Sequence, residues 1–203
     1  MKKPTAAKKP KTKSTSMPGL GEGYELTVSS PVLLAEGSDR EFRRLVHNLF
    51  GFFARHEAIR EGHGEFIGLA GIEYTVMISI AHLSLDSDVS VRDVADHLHL
   101  SGAFVTTVTN RLLTKGLVAK RTDPADRRRL CLTVTRQGRD LLATLAPAQR
   151  QVNDVQFEGI TTEEFRTLSG LIERLIDSSG RALSLQRYLA ENARTAPPAR
   201  HAG

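Results

Sequence analysis

Asp123-Pro124-Ala125-Asp126-Arg127-Arg128-Arg129-Leu130-Cys131-Leu132-Thr133-Val134-Thr135 is the stretch on which the reading of this chain turns. Two acids flank Pro124, three arginines follow in a row, and apolar and polar residues then alternate. Alternation with a period of two marks a half-buried strand, and proline among small polar residues marks a turn. The stretch therefore reads as the tip of a hairpin and its return strand. Three adjacent cations at such a tip have two uses. They form a solvated turn, or they reach for an anion. The flanking sequence decides between these.

Just upstream, Leu117 and Val118 begin the outgoing strand, and Gly116 occupies the C-cap position of a helix. That helix starts at Ser101, a plausible N-cap, and turns Val105, Val108, Leu112 and Leu113 inward. Before it, Ser90-Val91-Arg92-Asp93 has the form of a capping box with Asp in place of Glu. Val91, Val94, Ala95, Leu98 and Leu100 follow at helical spacing, and Leu100-Ser101-Gly102 makes a short break. Two short helices, a tight turn and a hairpin define a winged helix-turn-helix. The second helix carries small or polar residues away from its apolar face: Ser101, Gly102, Ala103, Thr106, Thr107 and Asn110. Small side chains let a helix sink into the major groove. Thr and Asn read base edges there, while Ala103 and Phe104 suit thymine methyls. Arg127, Arg128 and Arg129 would meet phosphates or the negative minor groove beside the same site. Asp126, two residues before Arg128, would hold that arginine upright. In this setting the tip reads as an anion-seeking element rather than a solvated turn.

Flanking helices complete the pattern. From Ser38, Phe42, Leu45, Val46, Leu49, Phe50 and Phe53 recur at threes and fours, with failure expected near Gly62-His63-Gly64. A second helix, from about Ile72 to Leu83, is apolar on most sides and expected to be buried. After the hairpin a helix runs from about Gln137 to Phe157, with Pro147 inside it and expected to bend it. Thr161 and Glu164 form another capping box, followed by a narrow seam of Phe165, Leu168, Leu171, Ile172, Leu175 and Ile176.

Composition bounds the function. The 203 residues carry a formal charge of +5, most visibly in Lys2, Lys3, Lys8, Lys9, Lys11 and Lys13. Residues 1–23 lack the apolar content to repay ordering and read as a disordered basic tail. The single cysteine, Cys131, excludes an intrachain disulfide. No signal peptide or membrane-spanning run is visible, so a cytoplasmic protein with no membrane contact is expected. Nothing matches a phosphate-binding glycine loop, an HExxH pair or an activated nucleophile, so no enzyme, cofactor or metal site is expected. His97 and His99 are two apart and do not share a helical face.

Residues 69–145 resemble the MarR family of bacterial transcriptional regulators. The resemblance rests on Leu69 to Leu83, on Val91-Arg92-Asp93-Val94-Ala95 with Leu98, and on Leu100-Ser101. It continues through Asn110-Arg111-Leu112-Leu113-Thr114-Lys115-Gly116-Leu117-Val118. It is most specific in the stretch quoted above, and extends to Arg136-Gln137-Gly138. It implies a homodimer with interlocking terminal helices that binds a pseudo-palindromic double-stranded DNA operator, usually as a repressor. It implies an Asp126–Arg128 wing-tip pair, and Ala103, Phe104, Thr106, Thr107 and Asn110 facing the groove. It departs at Thr107, where the family commonly has a basic residue.

The expected architecture is mostly α with a small β-hairpin wing. The basic tail covers 1–23 and the MarR-like domain 24–190, with a winged lobe at about 69–136. Dimerisation helices cover about 38–60 and 137–190, and a flexible tail 191–203. The resemblance also implies a ligand cleft. Arg40, Arg43, Arg44, His47, Phe50, Phe53 and Arg55, with His56 and Arg60, combine with Tyr74 and Met77 of the next helix as apolar walls with cationic ends. Such a cleft suits a small organic anion, an aryl carboxylate or its acyl-CoA thioester. The alternatives are a constitutive DNA-binding protein without an effector and a protein-interaction module.

Overall fold

The computed structural model describes residues 25–122 and 130–195. The chain divides into two compact units, Met1–Leu145 and Ala146–Gly203. Among the described residues there are six α-helices and one two-stranded hairpin, the mostly helical class with a wing that the sequence implied. No single helix among them is long and apolar enough to cross a membrane.

In the first unit, a 3-10 turn at Pro31–Leu33 precedes helix α1, Arg40–Phe66. Asp39 at its start is buried and gathers the preceding segment. Its carboxylate accepts hydrogen bonds from the Thr27 N–H at 2.8 Å, the Thr27 hydroxyl at 2.7 Å and Arg43 Nε at 2.9 Å. The Thr27 hydrogen bonds hold this carboxyl below the ordinary aspartate range.

Helix α1 does not fail at Gly62-His63-Gly64 as expected; it runs on to Phe66, and His63 and Gly64 are buried. The reason is close approach rather than helix breaking. A Cβ on Gly64 would lie 2.8 Å from the Leu69 carbonyl oxygen and 3.0 Å from Gly71 Cα. A Cβ on Gly71 would lie 2.9 Å from Glu61 Cα. These glycines let α1 meet helix α2, Gly71–Leu83, almost backbone to backbone, at a bend of 86°. The break between them is at Gly68, whose φ is +71°.

Helix α2 lies in the core, as its apolar circumference required, with Tyr74, Val76, Met77 and Ile80 buried. Helix α3, Val91–Leu98, has the expected capping box. Ser90 Oγ accepts from the Asp93 N–H at 3.3 Å, and Asp93 Oδ2 accepts from the Ser90 N–H at 2.8 Å. The chain leaves α3 through His99, in the left-handed region at φ +52°. Helix α4, Gly102–Thr114, follows and buries Val105, Val108, Thr109 and Leu112. Gly116, at φ +70°, turns the chain into strand β1, Val118–Thr122, which pairs antiparallel with β2, Leu130–Val134, from Val118↔Val134 to Thr122↔Leu130. The Leu132 N–H also reaches the Val89 carbonyl at 2.6 Å, which fixes the hairpin to the segment before α3. Cys131 is buried in β2. The start of helix α5, Arg136–Gln156, closes the core with Leu145.

One buried charge spans this unit. Glu73 on α2 accepts from Lys115 Nζ at 2.6 Å and from the Ala70 N–H at 3.1 Å. It thereby ties the first turn of α2 to the C-terminal end of α4. Burial pushes its carboxyl up, but the hydrogen bonds from Lys115 and Ala70 outweigh it, and the net displacement is downward.

In the second unit, α5 continues through Pro147 to Gln156. Gly159, at φ +84°, leads into helix α6, Thr162–Thr195. Thr161 and Glu164 form the expected capping box, with the Thr161 N–H donating to Glu164 at 2.8 Å and the Glu164 N–H to Thr161 Oγ1 at 3.2 Å. Residues 191–195, expected as tail, continue α6. Ala190 to Arg194 contain no helix breaker, and the helix ends only ahead of Pro197-Pro198. The seam residues Phe165, Leu168, Leu171, Ile172, Leu175 and Ile176 are exposed on the single chain. The expected tail of 1–23 lies outside the described residues, as do 196–203.

Glu73→Gln should cost about 1–2 kcal/mol near neutral pH, the scale of a charge-assisted hydrogen bond discounted for the part-exposed lysine. The folded carboxyl titrates below its ordinary value of 4.5. Its contribution is therefore complete above that pH and is lost as the pH falls through the folded value. Urea midpoints of the two proteins should converge in acid; a gap unchanged through that range would refute the pairing.

Candidate nucleic-acid interface and adjoining cleft

The side of α4 opposite its buried residues presents Ser101, Gly102, Ala103, Thr106, Thr107 and Asn110 to solvent. Ser101 Oγ caps the helix by accepting from the Phe104 N–H at 3.2 Å. The Thr106 hydroxyl donates to the Gly102 carbonyl at 2.8 Å, and that of Thr107 to the Ala103 carbonyl at 3.1 Å. Both hydroxyl protons thus point back into the helix, and the outward surface offers oxygen lone pairs and methyl groups. Asn110 Oδ1 accepts from Lys120 Nζ at 3.0 Å, which joins the helix to the wing strand. Arg121 beside it is paired with Asp88. Sequence reasoning overlooked Lys120 and Arg121. The available signal was the polar half of Val118-Ala119-Lys120-Arg121-Thr122, eclipsed by the arginine run that follows. Asp126, Arg127, Arg128 and Arg129 lie outside the described residues.

The residues assigned to one ligand cleft do not all come together. Arg40 to Arg55 extend over about 22 Å of helix at 1.5 Å per residue. Arg43 is bound to Asp39 and to the Glu25 carbonyl at 2.7 Å, and Arg44 lies 3.5 Å from Glu41. Arg55 donates to the Gly51 carbonyl at 2.9 Å, and the His47 and Phe50 rings stand edge to face at 6.4 Å. Phe50 and Phe53 are exposed. Tyr74 and Met77 are buried core residues, and Tyr74 packs edge-on to His63 at 5.8 Å, about four turns along α1 from His47. An apolar stripe on a long helix gives direction but not the depth at which the next helix crosses it, and here the crossing is at Gly64.

A cleft of about 540 Å³ does exist nearer that crossing. Its walls are Ile72, Leu98, Leu100 and Phe104, and its polar side is formed by Glu57, Arg60, Glu61 and Thr75. Arg60 Nη1 donates to Thr75 Oγ1 at 2.6 Å, and Thr75 passes its own proton to the Gly71 carbonyl at 2.9 Å. On the other edge, Arg60 Nε donates to Glu57 Oε2 at 2.9 Å and Nη2 bonds Glu57 Oε1. Phe104, assigned above to the groove face, sits 45% exposed at the edge of that face and walls the cleft. Arg60 was visible in the sequence as one cation among many; the cleft's other walls come from three separate helices and carry no local signature.

Two short helices joined by a tight turn and followed by a β-hairpin make a winged helix-turn-helix lobe, the architecture of a class of DNA-binding proteins. Residues 67–129 match the sequence model of the MarR family. The chain is 28% identical over 86 residues to the uncharacterised HTH-type transcriptional regulator YwhA of Bacillus subtilis, covering 42% of this chain and 62% of that protein. It is 24% identical over 136 residues to the HTH-type transcriptional repressor NicR of Pseudomonas putida, covering 67% and 84%. Among solved structures it resembles Bordetella bronchiseptica BpsR, whose DNA binding is regulated by 6-hydroxynicotinic acid. That match has 27% identity and a TM-score of 0.54, over 64% of this chain and 91% of that one.

Proposed function

We propose that this chain is a dimeric transcriptional regulator, a repressor, that leaves its operator when a flat aromatic carboxylate enters the cleft beside Arg60. The observation that carries this reading is the position of Phe104. It belongs to the helix that would read DNA, and it walls the cleft in which Arg60 is the cation. A ligand there touches the reading helix directly. The volume suits a one- or two-ring acid. The phosphates of an acyl-CoA thioester would call on Arg40, Arg43 or Arg44, and Arg43 and Arg44 are already engaged by acids. The likeness to NicR supports repression, and the likeness to BpsR supports an aromatic acid. The single cysteine and the regulator class suit the cytoplasm.

On DNA, Ser101, Ala103, Thr106, Thr107 and Asn110 would face base edges, and Arg128, held by Asp126, would enter the minor groove. Arg127, Arg129 and Lys120 would meet phosphates. The dimer would bury the exposed apolar faces of α1 and α6, since Leu45, Phe50, Phe53, Leu171 and Leu175 are all exposed on one chain.

The deciding experiment is to sequence genomic DNA retained by the purified protein, then titrate the complex with benzoate and 6-hydroxynicotinate. Release of operator is expected, and Arg60→Ala should weaken the response at least about tenfold with a smaller change in operator affinity. No release by any aromatic acid would overturn the effector reading.

Arg128→Ala should cost about 1–3 kcal/mol on operator, the scale of one specific contact. Lys120→Ala should weaken operator and scrambled duplex alike and lower the salt slope by about 1. Anisotropy at several salt concentrations measures both. If Arg128→Ala binds operator as tightly as wild type, the arginine run is only a solvated turn.

Leu171→Asp combined with Leu175→Asp should give monomers or aggregates that do not hold operator, read by light scattering and gel shift. A soluble double variant that stays a tight dimer would sink the α6 interface.

A further inference from the structure

Arg60 and Glu57 are unequal partners. The Arg60 side chain is only 18% exposed, and its guanidinium is bound to α2 through Thr75, whose hydroxyl is itself committed to the Gly71 carbonyl. The Glu57 side chain is 55% exposed, sits three residues earlier on the same helix, and is hydrogen-bonded to Arg60. The arginine is therefore held in the cleft by a second helix, while the glutamate can swing into water by rotating its own side chain. Its two oxygens bind Nε and Nη2 side by side, which is the geometry an incoming carboxylate would need. The guanidinium holds the Glu57 carboxyl below its ordinary range by that hydrogen bond, so the placeholder is ionised at neutral pH.

We infer that Glu57 is an intramolecular stand-in for the effector's carboxylate, and that the effector binds by taking its place on Arg60. This rests on the aromatic-acid reading above. The exchange conserves charge: one carboxylate leaves the guanidinium for water and another arrives from water. Electrostatics therefore contributes little net affinity. The gain must come from burying a ring against Ile72, Leu98, Leu100 and Phe104. Glu57 is thus a specificity-determining residue. It keeps a poorly solvated cation paired in the empty cleft, where an unpaired one is costly. It also rejects small anions such as acetate, which could displace it but have no ring to bury. Glu61, at the same polar side, adds a second acid that disfavours dianions.

The test is calorimetry on the full-length wild type, Glu57→Gln and Glu57→Ala, with benzoate, 6-hydroxynicotinate, acetate and the neutral isostere benzamide. Both variants should bind the aromatic acids about tenfold tighter, the scale of one charge-assisted hydrogen bond no longer displaced. They should also acquire measurable acetate binding, with benzamide unchanged. Aromatic-acid binding seen only in the variants would overturn the inference, because the acid would then fail to displace Glu57 from the intact cleft. Equal affinity of wild type and variants for the acids would overturn it and leave the effector reading standing. A parallel gain for benzamide would also overturn it, because that marks a general loosening of the cleft. If neither wild type nor variants bind any acid, both readings fall.

Discussion

Two glycines on facing helices set the geometry on which everything else depends. Gly64 and Gly71 let α1 and α2 cross with their backbones nearly touching, at 86°. A glycine inside a helix costs about 1 kcal/mol against alanine, and close packing at the crossing offsets it. The crossing brings Arg60, one turn before Gly64, over the first turn of α2 and within reach of Thr75. With any side chain at either position the helices would separate, and Arg60 would lose that partner. The cleft is the wedge left open where two nearly perpendicular helices part.

The remainder of the lobe fixes α4 relative to that wedge. Capping at Ser90 and Ser101 sets where α3 and α4 begin, and the left-handed His99 turns one into the other. At its far end, α4 is held by Lys115 to Glu73 on α2, the same helix turn that floors the cleft. The wing is held by Lys120 to Asn110, by Arg121 to Asp88 and by Leu132 to Val89. Lys120–Asn110 is an exposed contact and worth little in free energy, but it orients the asparagine. With Oδ1 occupied, Asn110 offers its amide protons outward and suits an acceptor on a base edge.

The parts legible in sequence were those encoded by neighbours. The capping boxes at Ser90 and Thr161, the cap at Ser101, the turn at Gly116 and the hairpin pairing each depend on residues a few positions apart, and the structure shows each of them. What was misread depends on contact across the chain. Gly62-His63-Gly64 looked like a helix end because local propensity cannot reveal that Gly64 meets residue 69. Tyr74 and Met77 were set in a cleft because an all-round apolar helix does not show which side is lined and which is filled. Lys120, Thr75 and Leu100 owe their places to tertiary geometry alone. The arginine run that opened the reading lies among 123–129, outside the described residues, so its chemistry still rests on sequence.

Phe104 connects the two ends of this molecule's logic. It is near the N-terminus of α4, between the buried face and the face carrying Ala103, Thr106 and Thr107. A ligand shifts an equilibrium only by the difference in its affinity for the two states. In the proposed mechanism, a ring packed against Phe104 would obtain that difference by displacing the side chain from the position taken up on DNA. A short helix tied at one end by its cap and at the other by Lys115 moves as a body, so a shift at Phe104 reaches Thr107 and Asn110. Coupling between sites is typically about 1–3 kcal/mol. In the proposed dimer both reading helices engage one operator, so the couplings of two ligands add. Tenfold release, about 1.4 kcal/mol, then needs only about 0.7 kcal/mol from each cleft. That is less than one buried methylene contributes, so burial of a single ring against Phe104 would be enough for the proposed release.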